Sequence, residues 1–150
     1  MAVRIQDIAR EDLAARDPAF APVLRFVAGG GDAAADPTLF ESLLDRLQIF
    51  APSRDGAPYL HCGRRSTTGE LFGAEVAEAL IGEPGLAHDA FERAVQPAYR
   101  AVHLTGKPVS QRVSAVLEVH GQRRLVAYYR LVFPLAMGSN RLAGCMTRFC

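Results

Sequence analysis

The sequence has little net charge, and this shortage excludes two classes of partner. Seventeen basic residues nearly balance sixteen acidic ones, so the chain carries a net charge of only +1. A chain with so little net charge has no overall positive electrostatic field to attract nucleic-acid phosphates or anionic lipids. We therefore expect neither a nucleic acid nor a membrane surface as its partner.

Cysteines and long apolar runs are also scarce. Cys62, Cys145 and Cys150 cannot all pair within one chain, and their scatter lacks the spacing of a zinc site or a haem attachment motif. The first twelve residues carry charges throughout and have no apolar segment typical of a secretory signal. No apolar run approaches the roughly 20 residues that a membrane-spanning helix needs. These absences predict free thiols in a reducing compartment and a cytoplasmic location.

Catalytic motifs are missing as well. The sequence contains no Gly-x-Ser-x-Gly nucleophile turn, phosphate loop, dinucleotide fingerprint or His-Glu-x-x-His motif. Glu75 and Glu78 share a helical face, but this spacing is more typical of a solvated surface than of paired catalytic carboxylates. We therefore predict that the protein is not an enzyme.

Two Asp-Pro pairs predict helix starts near the N-terminus. Asp17 and Asp36 are N-cap residues, and each is followed by a proline that suits the first helical turn. Between the two predicted helices, residues 29–35 form a flexible joint of glycine and alanine. We accordingly divide the chain into an N-terminal helical arm, residues 1–35, and a domain, residues 36–150. The arm either packs over an open face of the domain or mediates dimerisation.

Short strands and helices follow in the first half of the domain. Segments 47–51 and 57–63 are predicted strands, and Asp55-Gly56 between them favours a hairpin turn. Short helical pieces are predicted over 66–82. A longer helix is predicted over 86–105, which Pro97 kinks or divides.

Alternating apolar residues predict three consecutive antiparallel strands at the C-terminus, over 109–119, 123–135 and 142–149. His120-Gly121 suits the tight turn between the first two of them. Five strands with helices gathered on one side make an α+β domain. The first two strands complete one sheet with the last three only if the helices between them cross its face.

This order resembles the PAS family, and local segments strengthen the likeness. Pro-Tyr-Leu-His-Cys-Gly at 58–63 looks like the second PAS strand and leads into Glu-Leu-Phe-Gly at 70–73, while residues 98–109 are similar to the long-helix exit of bacterial PAS domains. The likeness covers residues 47–149 and is nearest to short, free-standing bacterial PAS-like proteins. It implies a five-stranded antiparallel sheet with helices on one face, preceded here by an N-terminal helical extension.

The resemblance also implies a non-enzymatic sensory or regulatory module, whose pocket between helices and sheet holds haem, flavin, a small metabolite or nothing. The residues expected to line this pocket are Leu60, Cys62, Phe72, Leu80, Phe91, Val95, Tyr99, Val113, Ala115, Tyr129, Leu131 and Met146. The outer face of the sheet would then carry apolar residues that need a cover. The predicted interface, for a homodimer or a signalling partner, therefore comprises Phe20, Val23, Leu24, Val27, Val126, Tyr128 and Val132.

Two alternatives stay open. His88 lies near the inward face of the long predicted helix, where haem-binding PAS proteins place an axial histidine, so a haem sensor is one of them. The other is a small cone-shaped α+β enzyme, of the isomerase or cyclase type, that uses His61 from a strand. His61 and Cys62 cannot form a dyad with each other, because neighbouring strand residues point to opposite faces. Cys62 also lacks the sequence context of a flavin photosensor.

Overall fold

Helices and strands are interleaved along the chain in the computed structural model, which describes residues 3–54, 56–83 and 90–150. Two 3-10 turns, Pro18–Phe20 and Leu44–Arg46, accompany the regular elements. In chain order these elements are β1 (Arg4–Asp7), α1 (Arg10–Arg16), α2 (Ala21–Ala28), α3 (Pro37–Leu43), β2 (Leu47–Phe50), β3 (Tyr59–Cys62), α4 (Thr67–Phe72), α5 (Ala74–Ala79), α6 (Ala90–Val95), α7 (Pro97–Thr105), β4 (Val109–Val119), β5 (Gln122–Met137) and β6 (Asn140–Phe149). The fold is therefore α+β, as predicted.

The two Asp-Pro pairs begin the 3-10 turn that leads into α2 and the helix α3. An Asp17 carboxylate oxygen accepts a hydrogen bond from the Ala19 amide at 3.0 Å, and Asp36 accepts one from the Leu39 amide at 3.2 Å. Each bond satisfies an amide that the first turn leaves free. The predicted division at Pro97 is also confirmed, because α6 ends at Val95 and α7 begins at Pro97. No helix in the described ranges is long and apolar enough to cross a membrane.

The described strands form one open antiparallel sheet in the order β1-β4-β5-β6-β2-β3. β2 pairs with β6 and β3 pairs with β2, so the two early strands share one sheet with the last three, as the sequence predicts. The predicted number of strands was wrong, since β1 pairs with β4 and adds a sixth strand within the expected helical arm. This strand escapes sequence reasoning because it is a short edge strand with mostly exposed, polar side chains.

Alternate residues of β5 divide the core into two layers. Leu131, Phe133 and Leu135 lie on one face of the sheet with Leu47 and Met146, under the N-terminal helices. We call this side the N-terminal face. Tyr128, Arg130 and Val132 point to the opposite side, which α4 to α7 cover and which we call the cavity face. Helices therefore lie on both faces of the sheet rather than on one.

The N-terminal arm is part of the first of these layers. Phe20 and Val23 are completely buried in the cluster that contains Phe133, and Leu24 and Val27 pack against the same cluster. Of the two arrangements expected for the arm, the structure has the one in which it packs over the sheet of its own chain.

The glycine-rich segment after α2 is fixed to β5 rather than forming a free joint. The Ala33 amide donates to the Ala136 carbonyl, and the Ala136 amide donates to the Gly31 carbonyl, both at 2.9 Å. Gly31 has a φ of +65°, and a Cβ atom there would lie 2.6 Å from the Pro134 carbonyl oxygen. Glycine is required at this position for both reasons.

Candidate ligand-binding cavity

A cavity of about 110 Å³ lies between the cavity face of the sheet and the helices that cover it. Strands β2 to β6 supply its floor, and α4 to α7, with the residue after α5, supply its walls. The described lining residues are Gln48, Tyr59, Thr67, Thr68, Leu71, Phe72, Val76, Leu80, Phe91, Glu92, Val95, Tyr99, Leu117, Glu118, Tyr128 and Thr147. The cavity thus combines a largely apolar surface with a small group of polar side chains, which is typical of small-molecule sites.

The polar end of the cavity is held together by α4 and the floor strands. The Gln48 side-chain amide donates to the Thr68 hydroxyl at 2.6 Å, and the Thr147 hydroxyl accepts from the Thr67 amide at 2.9 Å. Ser66 fixes the start of α4, since its hydroxyl accepts from the Gly69 amide at 3.1 Å and donates to the Gly63 carbonyl. These bonds place two threonine hydroxyls at defined positions beside a buried glutamine.

Three tyrosines form much of the aromatic surface. Tyr99 stacks on Phe50, with ring centroids 3.8 Å apart, and Tyr59 packs on the same phenylalanine at 4.5 Å. Tyr128 meets the edge of Phe91 at 6.5 Å. Each tyrosine ring therefore packs against an aromatic neighbour, and such pairs stabilise the fold by more than the burial of their surface area alone.

Burial makes the tyrosine hydroxyls even harder to ionise than in water. It is the main cause that raises the pKa of Tyr59, Tyr99 and Tyr128 well above the ordinary value, because the charged phenolate loses its hydration. The negative charge of Glu92 raises the pKa of Tyr59 and Tyr128 further. At neutral pH these groups are therefore neutral hydrogen-bonding groups and not bases.

The hydroxyls of Tyr59 and Tyr128 lack a hydrogen-bond partner among the described residues, although both side chains are more than nine-tenths buried. Over the same residues, no completely enclosed side-chain nitrogen or oxygen is without a partner. Each hydroxyl therefore borders the open space of the cavity and is available to a molecule inside it. A buried hydroxyl without a partner is costly, so such positions are typical of binding sites.

A polar row crosses the cavity face beside the site. Asp7, Gln111, Arg130 and Thr147 lie directly opposite one another on β1, β4, β5 and β6. Asp7 accepts from the Gln111 amide at 2.9 Å, and Gln111 accepts two bonds from Arg130, at 2.9 and 2.6 Å. A third bond runs from Arg130 to the Val95 carbonyl at 3.0 Å. The row connects the edge strand to the end of α6.

Arg130 is a buried cation that supports the wall without lining it. Its side chain is 1% exposed, and its guanidinium lies 5.7 Å from the centre of the Tyr99 ring. Burying a charge is costly unless hydrogen bonds compensate for the lost hydration. Gln111 and the Val95 carbonyl provide these bonds, while the Tyr99 ring adds a cation–π contact.

Five of the twelve residues expected to line a pocket do line this cavity, namely Phe72, Leu80, Phe91, Val95 and Tyr99. Val113 and Ala115 lie on the same face of the sheet, packed in the cluster that includes Val95 and Tyr128. Leu60 and Cys62 instead border a separate depression on the edge of the sheet, where Leu60 is 47% exposed.

The two faces of β5 and β6 are exchanged relative to the expectation. Tyr129, Leu131 and Met146, expected in the pocket, belong to the cluster on the N-terminal face. Val126, Tyr128 and Val132, expected on an outer interface, are buried on the cavity face, and Tyr128 lines the cavity. Arg124 and Arg130 lie on the same face of β5 as these three residues. Two arginines on one face are typical of an exposed surface. The pattern misleads because Arg130 is buried and hydrogen-bonded.

Four polar lining residues were not among those expected from the sequence: Gln48, Thr67, Thr68 and Thr147. Gln48 gave the clearest signal, because it stands between Leu47 and Ile49 in a strand whose residues are all buried. A polar residue within a short buried strand needs a specific partner. The threonines gave no such signal, since Thr67 and Thr68 follow a helix cap where polar residues are common.

The residues of the two alternatives lie away from the described cavity walls or outside the described residues. The His61 ring forms a 2.7 Å hydrogen bond with the Leu44 carbonyl and borders the edge depression instead of the cavity. Burial raises the pKa of the neighbouring Cys62 thiol, against hydrogen bonds from Ser66 and Gln48 that lower it. His88 lies outside the described residues. Within the described ranges, no three histidine, cysteine or acidic residues are grouped as metal ligands.

Haem does not fit the cavity as it stands. Its volume of about 110 Å³ is smaller than the roughly 150 Å³ of an engineered cavity that holds one benzene ring. The lining residues named above include no histidine or cysteine that could serve as an axial ligand.

Comparisons with protein-family models, curated proteins and solved structures gave no match to this chain.

Proposed function

We propose that this chain is a non-enzymatic regulatory module of the PAS type, which binds a small molecule in the cavity and communicates the bound state to a signalling partner. The observation that carries the proposal is the pair of buried tyrosine hydroxyls, on Tyr59 and Tyr128, that border the cavity without a partner among the described residues. A bound molecule would supply the missing partner. The position of β2 and β3 in one antiparallel sheet with β4, β5 and β6 supports the PAS-type assignment.

The chemistry of the lining supports binding rather than catalysis. Burial moves the pKa of the three phenols further above neutral pH, and it raises the pKa of the Cys145 thiol next to Tyr99 to about 12. A nucleophile or general base needs a pKa close to the working pH. These groups therefore suit recognition better than proton transfer.

Self-association is a separate part of the proposal. The seven residues expected at an interface are now accounted for within one chain: Phe20, Val23 and Val132 are completely buried. A dimer or a partner complex would therefore use other surfaces, such as the strongly exposed Leu104 and Leu125. Light scattering of the full chain over a range of concentrations measures this directly. A single monomeric mass throughout would remove the homodimer from the proposal.

A fragment screen by two-dimensional NMR tests the binding function. We expect fragments to shift amide signals of the cavity residues, and we expect Leu80→Trp to abolish these shifts, because its larger side chain would fill the cavity. Leu104→Trp is the matched control, since Leu104 is 69% exposed and lies outside the cavity. If no fragment shifts the cavity signals, or if Leu80→Trp leaves the shifts unchanged, the proposed function is wrong.

A further inference from the structure

The ionisable side chains on the described lining of the cavity are acidic. Among the described lining residues, the two ionisable at ordinary pH are the carboxylates Glu92 and Glu118. The charge of Glu92 raises the pKa of Tyr59 and of Tyr128, two residues of the lining. An anion placed there would lose its hydration and meet a like charge, and both effects oppose binding.

The nearest buried cation is already engaged. The guanidinium of Arg130 donates two hydrogen bonds to Gln111 and one to the Val95 carbonyl. It lies behind Tyr99 and does not line the cavity. The site therefore lacks, over its described lining, the arginine or lysine that typically holds a phosphate or carboxylate.

Four hydroxyl groups of the site can each still donate a hydrogen bond. Thr68 accepts a bond from Gln48, and Thr147 accepts one from the Thr67 amide, so each threonine still has its own hydroxyl proton to donate. The hydroxyls of Tyr59 and Tyr128 are protonated and without partners in the described chain. A molecule that accepts hydrogen bonds satisfies this arrangement, whereas a pure hydrocarbon does not.

The size of the cavity limits the molecule. Its volume of about 110 Å³ lies somewhat below the roughly 150 Å³ of a protein cavity that holds benzene. Aromatic side chains form much of the wall, including Phe72, Phe91 and Tyr99. The space therefore suits a compact molecule of at most about six non-hydrogen atoms, no larger than benzene.

We propose that the cavity selects a compact, uncharged molecule, about the size of one six-membered ring, that accepts hydrogen bonds from the hydroxyls of Tyr59, Tyr128 and Thr147. This inference rests on the proposed function, because it names the ligand class of the same site. Phosphorylated and carboxylate-bearing compounds should bind more weakly, because the described lining contains two carboxylates and no arginine or lysine.

Four probes of similar size test the proposal by NMR titration of the full chain at neutral pH. Pyridine and benzene differ by one ring nitrogen that accepts a hydrogen bond, while isobutyramide and isobutyrate differ in charge. We expect pyridine to bind about fivefold to tenfold more tightly than benzene, as one added hydrogen bond allows. We expect isobutyramide to bind at least about tenfold more tightly than isobutyrate.

Tyr128→Phe identifies the donor, because it removes a hydroxyl that bonds to no described residue. We expect this variant to lose most of the preference for pyridine while benzene binding stays within about twofold. Tyr59→Phe removes the other hydroxyl that bonds to no described residue and tests independently whether the preference for pyridine depends on it. Tyr129→Phe is the matched control on the opposite face, where the hydroxyl accepts a bond from Arg16, and it should change neither affinity.

The outcomes separate this inference from the proposed function. Benzene or isobutyrate binding in the cavity as tightly as its partner probe would overturn the ligand class and leave the binding function intact. An unchanged pyridine preference in both Tyr128→Phe and Tyr59→Phe would overturn the assigned donors. Absence of cavity shifts with all four probes and with every fragment would overturn the function itself.

Discussion

The two faces of one sheet differ in chemistry although the same strands build both. On the N-terminal face, the helices bury hydrocarbon against hydrocarbon, with Phe133 edge-on to Phe26 and a centroid distance of 6.1 Å. On the cavity face, a buried glutamine and three tyrosines line a space, and a buried arginine supports one of its walls. The first face has the composition of a core that stabilises the fold. The second keeps polar groups and volume that stability alone would not retain.

The largest contrast between the faces is expected from deletion of a phenylalanine on each. Phe133→Ala should lower the free energy of unfolding by about 3–5 kcal/mol, because it removes a completely buried ring that packs against Phe26 and Gly144. Phe72→Ala, at the half-buried cavity wall, should cost less than about 2 kcal/mol. Urea denaturation measures both values. Equal losses would mean that the faces do not differ in this way.

The attachment of the N-terminal segment is tested at Gly31. Gly31→Ala should cost about 2–3 kcal/mol, because the left-handed backbone is unfavourable for alanine and the new methyl would clash with the Pro134 carbonyl. Gly29→Ala is the control, since Gly29 has a φ of −79° and its added Cβ would come no closer than 3.4 Å to another atom. Thermal unfolding compares the two. Similar melting temperatures would contradict the close approach at Gly31.

The polar row of the cavity face is tested at Gln111. Gln111→Leu should lower stability by about 2 kcal/mol, because it removes two hydrogen bonds from a buried guanidinium. Adding Arg130→Met should recover part of this loss, since replacing a buried charge with a hydrocarbon is often neutral or stabilising. A double-mutant cycle by urea denaturation measures the coupling. Additive losses would show that the two side chains act independently.

The smallest expected effect is a pH dependence at the rim of the N-terminal face. Burial alone would raise the pKa of Asp17, but bonds from the Ala19 amide and the Arg148 guanidinium lower it below the ordinary value of 3.8. Because the folded-state pKa is depressed, the stabilisation is present above that value and is lost as the pH falls through the folded-state pKa.

Asp17→Asn should therefore flatten the loss of stability in acid. The effect should be less than about 1 kcal/mol, because the pair is partly exposed, and Arg148 is bonded to Asp17 at 2.9 Å near the surface. Arg148→Met should flatten the same curve by removing the partner. Denaturation midpoints between neutral pH and pH 3 measure the change. An unaltered slope in both variants would exclude Asp17 as the cause.

Much of the fold could be predicted because its signals are local. The Asp-Pro helix starts, the division at Pro97 and the long alternating strands each depend on a few neighbouring residues, and each is present. The edge strand β1 could not be predicted in this way. Its four residues owe their extended form to pairing with β4, more than a hundred positions later, and its mostly polar sequence has no buried face to reveal it.

The site was harder to predict because it depends on which face of each strand is turned toward the helices. Alternation separates Tyr128 from Tyr129, but it does not say which of them faces the cavity. The arginine at position 130 gave the buried face the composition of an exposed one, and only its partner on β4 explains its burial. Wall residues on the helices were easier to predict, because Phe91 and Val95 lie four residues apart on α6 and Tyr99 continues the same spacing on α7.

The polar row from Asp7 to Arg130 gives the edge strand β1 a second role, beyond its pairing with β4. Asp7 orients the Gln111 side chain by accepting from its amide, which leaves the amide oxygen directed at Arg130. Arg130 in turn holds the carbonyl of Val95, where α6 ends at the cavity. Displacement of β1 would therefore free the glutamine to turn, weaken the hold on α6 and loosen one wall of the cavity. The first residues of the chain thus help to determine how firmly the site near its middle is held.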